Sequence, residues 1–397
     1  MTSLRSISYA GSIVLNLLIF TVSPNAHAQK AKTPPEIRGQ LEAGEEATRI
    51  VCFGDSITGV YYHSGSARAW TDMLGINLKK AYPKAKLEMI NAGISGHTTA
   101  NALSRIDQDV ISKKPDLVII MFGMNDVTRV TIDDYEKNLR MITRQCMDAG
   151  AAVMLCTPNS VYENTDRPNA KLEAYSERVR KIGREFELPV VDFFNDWSEL
   201  HQKDATSWML LMSETIHPNM NGHKRFARLM TQSLSDKEIE KVAIPPAPEP
   251  LENTLKLLRA NETVKLVAMP PHDKTLLESL KRKFPNARIE VTSWPVENQS
   301  LSEIRRWSQK IRKMAPDLVI INVPTATLSM SNEEAFIRDY QWILNNSFHF
   351  GKREWDVLAF LSDNKDLPDQ RLHLARQIIE GKDIAPFVQL PVELNDK

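Results

Sequence analysis

The chain is 397 residues long, 42% hydrophobic and 25% charged, the profile of ordinary globular protein and enough for two domains. Lysine plus arginine and aspartate plus glutamate both number 50, so the formal net charge is zero. No global field draws the chain to nucleic acid or to an anionic membrane surface.

The first 28 residues stand apart. Arg5 precedes an apolar run from Ile13 to Val22, and Ala26-His27-Ala28 places small residues two apart before Gln29. That is the layout of a secretory signal peptide with an A-x-A cleavage site, and about ten apolar residues are too few to span ~30 Å of hydrocarbon. The expectation is an exported protein, periplasmic or secreted, cleaved near Ala28, with no membrane span in the mature chain. Residues 29 to about 45 are polar and Pro-containing and read as a loose leader. Cys52 and Cys156 fall in predicted strands and Cys146 on the apolar stripe of a helix. None has metal-ligand spacing, so all three read as small buried hydrophobes.

Arg49 to Gly59 reads R-I-V-C-F-G-D-S-I-T-G. The apolar run Ile50–Phe53 suits a strand covered on both faces of a parallel sheet, and Gly54 allows the sharp turn that ends it. Ser56 then lies at the carboxyl end of a strand, where open α/β sheets place their ligands. A helix comes next over Ala67 to Tyr82, with Trp70, Met73, Leu74 and Leu78 on its inner face. Lys86 to Ala92 is a second strand ending at Gly93, and Leu117 to Phe122 a third ending at Gly123-Met124-Asn125-Asp126. Thr131 is a predicted N-cap for a helix whose stripe is Tyr135, Leu139, Ile142 and Cys146, closed by Gly150. Ala152 to Thr157 is a fourth strand and Leu188 to Phe193 a short fifth, separated by a helix carrying Leu172, Tyr175, Val179, Ile182 and Phe186. A loop at Trp208 to Pro218 leads to a last helix near Gly222 to Leu234. The alternation predicts a three-layer α/β domain with a parallel, doubly wound sheet.

A serine hydroxyl needs an adjacent base to act as a nucleophile, and histidine, with its pKa near neutrality, is the obvious one. His217 sits in the loop before the last helix. Gly93 and Asn125 end strands on the same predicted rim as Ser56, where donors for a developing oxyanion are wanted. Asp55 either tunes the nucleophile loop or ties down its turn. His97 reads as a surface residue, and His223 as packing or capping the last helix. Tyr61, Tyr62, His63 and Arg68 could line a sugar platform, while the spacing of Trp70 makes it core.

The blocks G-D-S-I at 54–57, N-A-G-I-S-G at 91–96, G-M-N-D at 123–126 and E-T-I-H-P-N at 214–219 resemble, in order and spacing, the four blocks of the SGNH (GDSL-type) hydrolases. The resemblance covers roughly residues 46–236. It implies the flavodoxin-like αβα sandwich of that fold, with Ser56 as nucleophile and His217 as general base. The amides of Ser56 and Gly93 and the side chain of Asn125 would form the oxyanion hole. Asp55 is read from its position as a supporting residue, and neither metal nor cofactor is expected. The family usually has Asp three residues before the histidine. Here the residue is Glu214, which leaves two readings open: a Ser-His-Glu triad, or a Ser-His dyad held by a backbone carbonyl.

Ile244 to Pro250 (I-P-P-A-P-E-P) reads as a linker, and the sequence beyond it repeats features of the sequence before it. P-D-L-V-I-I at 115–120 recurs at 316–321, Y-P-K-A-K-L-E at 82–88 is echoed by F-P-N-A-R-I-E at 284–290, and K-L-V-A-M at 265–269 echoes 49–53. The expected organisation is a signal peptide (1–28), a catalytic domain (46–240), a Pro-rich linker (241–251) and a degenerate second copy (252–397). On the strand echoes Ser56 faces His272, Gly93 faces Pro295 and Asn125 faces Ala326. S-D-N-K-D-L-P at 362–368, set against 213–218, gives Leu367 for His217. The second copy therefore reads as catalytically inactive, with shaping the cleft, binding polymer or adding stability left open as its role. The expected function is an exported serine esterase removing acetyl or other small acyl groups from a carbohydrate, its partner a small-molecule or polysaccharide ester. The alternatives are a lysophospholipase- or thioesterase-type lipid esterase, and a non-catalytic carbohydrate-binding protein. The sequence sets no oligomeric state.

Overall fold

The computed structural model describes residues 30–235, 237, 251–330, 332–351, 354–361 and 369–387. The expected signal peptide, the stretch 244–250 and the segment 362–368 lie outside the described residues.

The chain builds two five-stranded parallel sheets. The first comprises β1 (Ala47–Gly54), β2 (Lys86–Gly93), β3 (Leu117–Met121), β4 (Ala152–Cys156) and β5 (Val190–Val191), in the spatial order 2-1-3-4-5. The second comprises β6 (Thr263–Ala268), β7 (Arg288–Ser293), β8 (Leu318–Ile321), β9 (Asp356–Phe360) and β10 (Pro386–Phe387), in the order 7-6-8-9-10. The two orders are the same path traced twice. Helices cover both faces of each sheet, so the fold is a three-layer αβα sandwich in two tandem copies.

The registers repeat as well. Ile50 pairs with Leu117 and Gly54 with Gly93 in the first sheet, while Leu266 pairs with Leu318 and Ala268 with Ser293 in the second. The anchor below the strands is copied too. The Asp116 carboxylate accepts the Arg49 amide at 2.7 Å, and Asp317 accepts the Lys265 amide at 2.8 Å. Carried along these registers, Ser56, Gly93 and Asn125 correspond to His272, Pro295 and Ala326.

Ile50 to Phe53 are fully buried, as a central parallel strand requires, and β2 at the sheet edge alternates in exposure. One buried cluster joins the two units: it contains Trp70, Phe53 and Met230 of the first and Val267, Val319 and Tyr340 of the second. The opposite face of the second sheet, with Leu266, Leu318 and Leu358, packs as a separate smaller core. Cys52, Cys146 and Cys156 are free and buried.

Three expectations are corrected. Residues 34–43 are a helix, Pro34–Ala43, and not a loose leader: Thr33 and Glu36 close a capping box, Pro34 occupies the first turn where its missing N–H costs nothing, and Ile37 and Leu41 enter the core. The expected strand 188–193 is only the two residues of β5. The Asp192 side chain caps a helix over Phe193–Lys203, which buries Phe193, Phe194 and Trp197 at helical spacing, and Ala205–Met209 adds a further turn. Setting 362–368 against 213–218 also fails on topology. The former precedes the helix Asp369–Glu380 and β10, whereas the latter comes after β5, so no described residue of the second unit corresponds to His217.

Candidate active site

Three carboxyl ends of strands meet at Ser56. β1 breaks at Gly54, Asp55 caps a four-residue turn of helix, Ser56–Gly59, and the Asp55 Oδ1 accepts the Ile57 amide at 2.9 Å. Two glycines make the packing possible. A Cβ at Gly59 would come within 2.2 Å of the Gly93 carbonyl oxygen, and one at Gly93 within 2.4 Å of the Gly59 nitrogen. The nucleophile turn therefore lies flat on the end of β2. Arg105, buried, locks both strand ends by donating to the carbonyls of Ala92 at 2.8 Å and Gly54 at 3.0 Å.

His217 arrives from the loop after Ala205–Met209. Ser213 N–H donates to the His217 carbonyl at 2.8 Å, closing residues 213–217 into a tight loop, and Met212 bridges Pro218 below it. Asn159 donates to the Ile216 carbonyl at 3.2 Å and the Tyr162 amide to the Thr215 carbonyl at 3.0 Å, which fixes the loop from the side of β4. The Ser56 hydroxyl then stands 2.8 Å from His217 Nε2.

The Glu214 carboxylate lies on the other side of the ring, with Oε1 2.5 Å from His217 Nδ1. The same oxygen accepts the amides of His217 at 2.8 Å and Ile216 at 3.1 Å, and Oε2 accepts that of Thr215 at 2.8 Å. The extra methylene relative to aspartate is absorbed because the side chain folds back over its own loop. Burial would raise the Glu214 carboxyl, but the nearby His217 and these hydrogen bonds outweigh it and leave the group below its ordinary value. An ionised carboxylate fixes the tautomer with a proton on Nδ1, so Nε2 faces Ser56 as an acceptor.

Asn125 comes after β3 and is positioned by Asp126, whose Oδ1 accepts both the amide (2.8 Å) and the hydroxyl (2.6 Å) of Thr99. One hydrogen of Asn125 Nδ2 goes to the His97 carbonyl at 3.1 Å, and its Oδ1 accepts from Arg129 at 3.2 Å. Among the described residues no second acceptor meets Nδ2, so its other hydrogen is open to a ligand. The Gly93 amide donates to Asn91 Oδ1 at 3.0 Å, so it reaches a ligand only by sharing its proton. The Ser56 amide opens a helical turn, where the first N–H groups have no intrahelical acceptor.

Burial pushes the Asp55 carboxyl up to about 7 against the opposing pull of the Ile57 amide and of His217. The folded protein thus keeps a proton that the unfolded chain releases from about pH 4 upward, and this site's contribution to stability falls between about pH 4 and 7. Asp55→Asn keeps the acceptor for Ile57 and removes the titration. Its melting temperature relative to the parent is expected to rise as the pH goes from 4 to 7 and then level off. A gap independent of pH contradicts that assignment.

His97 is half-buried and contributes only its carbonyl. His223 is buried in the helix Met220–Leu234, and its Nδ1 accepts the Trp70 amide at 2.9 Å. Two of the platform residues are spent elsewhere: Arg68 forms a two-point ion pair with Asp383 of the second unit, and His63 is buried flat against His217, with ring centroids 3.9 Å apart. Burial first, then the charges of His217 and Lys382, hold His63 well below its ordinary value, hence uncharged. His63, Glu214 and His217 bring ligand atoms within 4.8 Å of one another. They do not suit a common ion, because Glu214 and His217 are already bonded and the in-plane lone pairs of stacked imidazoles do not converge. Sequence reasoning missed Arg105, Asp126, Ser213 and the inward role of His63; only Asp126, inside G-M-N-D, carried a local signal.

A model of the GDSL-like lipase/acylhydrolase family matches residues 52–225, which contain Ser56, Asn125, Glu214 and His217. The acetylxylan esterase of Geobacillus stearothermophilus is 30% identical over 172 residues, 40% of this chain and 76% of that protein. The uncharacterized lipoprotein YqeF of Bacillus subtilis is 26% identical over 221 residues, 48% of this chain and 89% of the lipoprotein. Thioesterase 1/protease 1/lysophospholipase L1 of Escherichia coli is 29% identical over 189 residues, 47% of this chain and 84% of that enzyme. A likeness of this degree over three quarters of a relative, together with a family model that encloses the whole serine–histidine constellation, places the chain in the GDSL-like lipase/acylhydrolase family.

Proposed function

We propose that the protein is an exported serine esterase that removes acetyl groups from a carbohydrate through a covalent acyl-enzyme on Ser56. The observation that carries this reading is the chain of contacts Ser56–His217–Glu214, at 2.8 and 2.5 Å, beside the Asn125 amide. Ser56 Oγ attacks the ester carbonyl while its proton passes to His217 Nε2, and Glu214 stabilises the imidazolium. The carbonyl electrons move to oxygen, which the Ser56 amide and Asn125 receive, with Gly93 sharing its proton. Collapse expels the alcohol, protonated by His217. Water, deprotonated by the same ring, then releases the acid and restores Ser56.

The substrate class is supported by the similarity to the acetylxylan esterase, and export by the leader composition and the lipoprotein relative. The second unit serves this reading as a catalytically inactive copy, since His272, Pro295 and Ala326 stand where Ser56, Gly93 and Asn125 do in the first.

Rates on p-nitrophenyl esters of increasing acyl length test the substrate. The expected result is a maximum at acetate and a steep fall with length. Rates flat or rising beyond about eight carbons, enough chain to gain several kcal/mol at ~0.8 per buried CH₂, would favour the lipid-esterase alternative. Asn125→Ala is expected to lower kcat by about 10²–10³, or ~3 kcal/mol, because the oxyanion exists only after attack. An equal loss through KM would mean Asn125 binds ground-state substrate instead.

A further inference from the structure

The helix Glu333–Ser347 of the second unit lies along the segment that leads into the histidine loop, and its contacts are specific. Gln341 donates to the Met209 carbonyl at 2.9 Å. Asn345 is fully buried and grips Ser213 twice: its Nδ2 donates to the Ser213 carbonyl at 2.6 Å and its Oδ1 accepts the Ser213 hydroxyl at 2.8 Å. Lys382, from the turn after Asp369–Glu380, is buried as well. Its Nζ meets the His63 carbonyl at 2.8 Å, Ser213 Oγ at 2.7 Å and Asn345 Oδ1. Ser213 Oγ also meets His63 Nδ1 at 2.9 Å, and the other face of that contact is the His63 ring stacked on His217 at an interplanar angle of 11°.

The contrast between the two units sharpens this. Thr131 and Asn332 cap the corresponding helices, so Gln341 and Asn345 stand where the first unit has Arg140 and the exposed Arg144. A helix face that is charged and open to water in one copy is made of buried neutral amides in the other. Packing alone would be served by apolar residues, since a buried lysine is costly unless its donors are matched. Here all three Nζ contacts go to acceptors, and every acceptor belongs to the cluster around the histidine loop.

Building on the esterase reading above, we propose that Asn345 and Lys382 of the second unit are positioning residues for His217, holding the 213–217 loop and the His63 ring so that Nε2 stays within reach of Ser56. The second unit is then an internal brace for the catalytic base. The loop carries both Glu214 and His217, so a small rotation at Ser213 moves the acid and the base together relative to Ser56.

The test is turnover of p-nitrophenyl acetate by the full chain, with active sites counted by fluorophosphonate titration so that only folded molecules enter kcat. For Asn345→Leu, for Lys382→Met and for Ser213→Ala, kcat is expected to fall roughly tenfold to a hundredfold with KM changed by less than about twofold. The double variant Ser213→Ala/Asn345→Leu is expected to lose clearly less than the product of the two single losses, because both remove the bond between Ser213 Oγ and Asn345 Oδ1. Glu333→Ala, which removes a contact of the same helix with Thr206 and touches neither Ser213 nor His63, is expected to leave kcat unchanged. Parental kcat in Asn345→Leu and Lys382→Met, or multiplied losses in the double variant, overturns the brace while the esterase stands. A Ser56→Ala protein that turns over like its parent overturns the underlying reading instead.

Discussion

Ser56→Ala is expected to lower kcat on a small ester by four to six orders of magnitude, roughly 5–8 kcal/mol in the barrier, while leaving the fold and KM nearly unchanged. The size comes from covalent catalysis: without the hydroxyl no acyl-enzyme forms, and the remaining oxyanion donors assist only attack by water. The side chain is small, lies at the end of β1 and hydrogen-bonds to His217, so alanine leaves no large cavity. His217→Ala is expected to fall in the same range, and the double variant no lower than either single one, since the two act as a unit. Steady-state kinetics on freshly purified protein with p-nitrophenyl acetate measures this. A residual rate within tenfold of the parent would mean that the hydroxyl is not the nucleophile.

Glu214→Gln is expected to cost about 10³–10⁴ in kcat. The geometry makes this substitution harsher than its shape suggests. Both carboxylate oxygens face only donors: Nδ1 of His217 and the amides of His217 and Ile216 on one, the Thr215 amide on the other. An amide group must turn its NH₂ toward one of those sets, so either the loop loses its tie or His217 is driven to the wrong tautomer. Glu214→Asp keeps the charge but shortens the reach by about a bond, and is expected to retain clearly more activity than the glutamine variant. Had His217 worked in a dyad held by a backbone carbonyl, both variants would stay within a few-fold of the parent.

Much of this is legible in the sequence where local chemistry decides structure. The run Ile50–Phe53 suits only a doubly covered strand, and Gly54, Gly93 and Asn125 mark strand ends because loops there must turn sharply or expose a donor. The second copy is legible because Pro115–Ile120 and Pro316–Ile321 repeat a buried strand with its aspartate anchor. Sequence reading fails where one residue type can signal two opposite things. Pro34 reads as a breaker, yet Thr33 and Glu36 form a capping box around it; Phe193 reads as a strand end, yet Asp192 caps a helix there. The bond of Glu214 to His217 is open from sequence because it depends on how a side chain folds over its own loop. Asn345 and Lys382 carry no local mark at all: their partners, Ser213 and His63, are more than a hundred residues away, and only packing of the two units brings them together.

Everything in the proposed chemistry rests on Ser56, activated by His217, attacking the acyl carbon. Labelling the purified protein with a fluorophosphonate and mapping the adduct by peptide mass spectrometry tests this most directly. The expected result is one adduct per chain, on the peptide containing Ser56, absent from Ser56→Ala and strongly slowed in His217→Ala. No adduct on the parent protein, or equal labelling of Ser56→Ala, would contradict it.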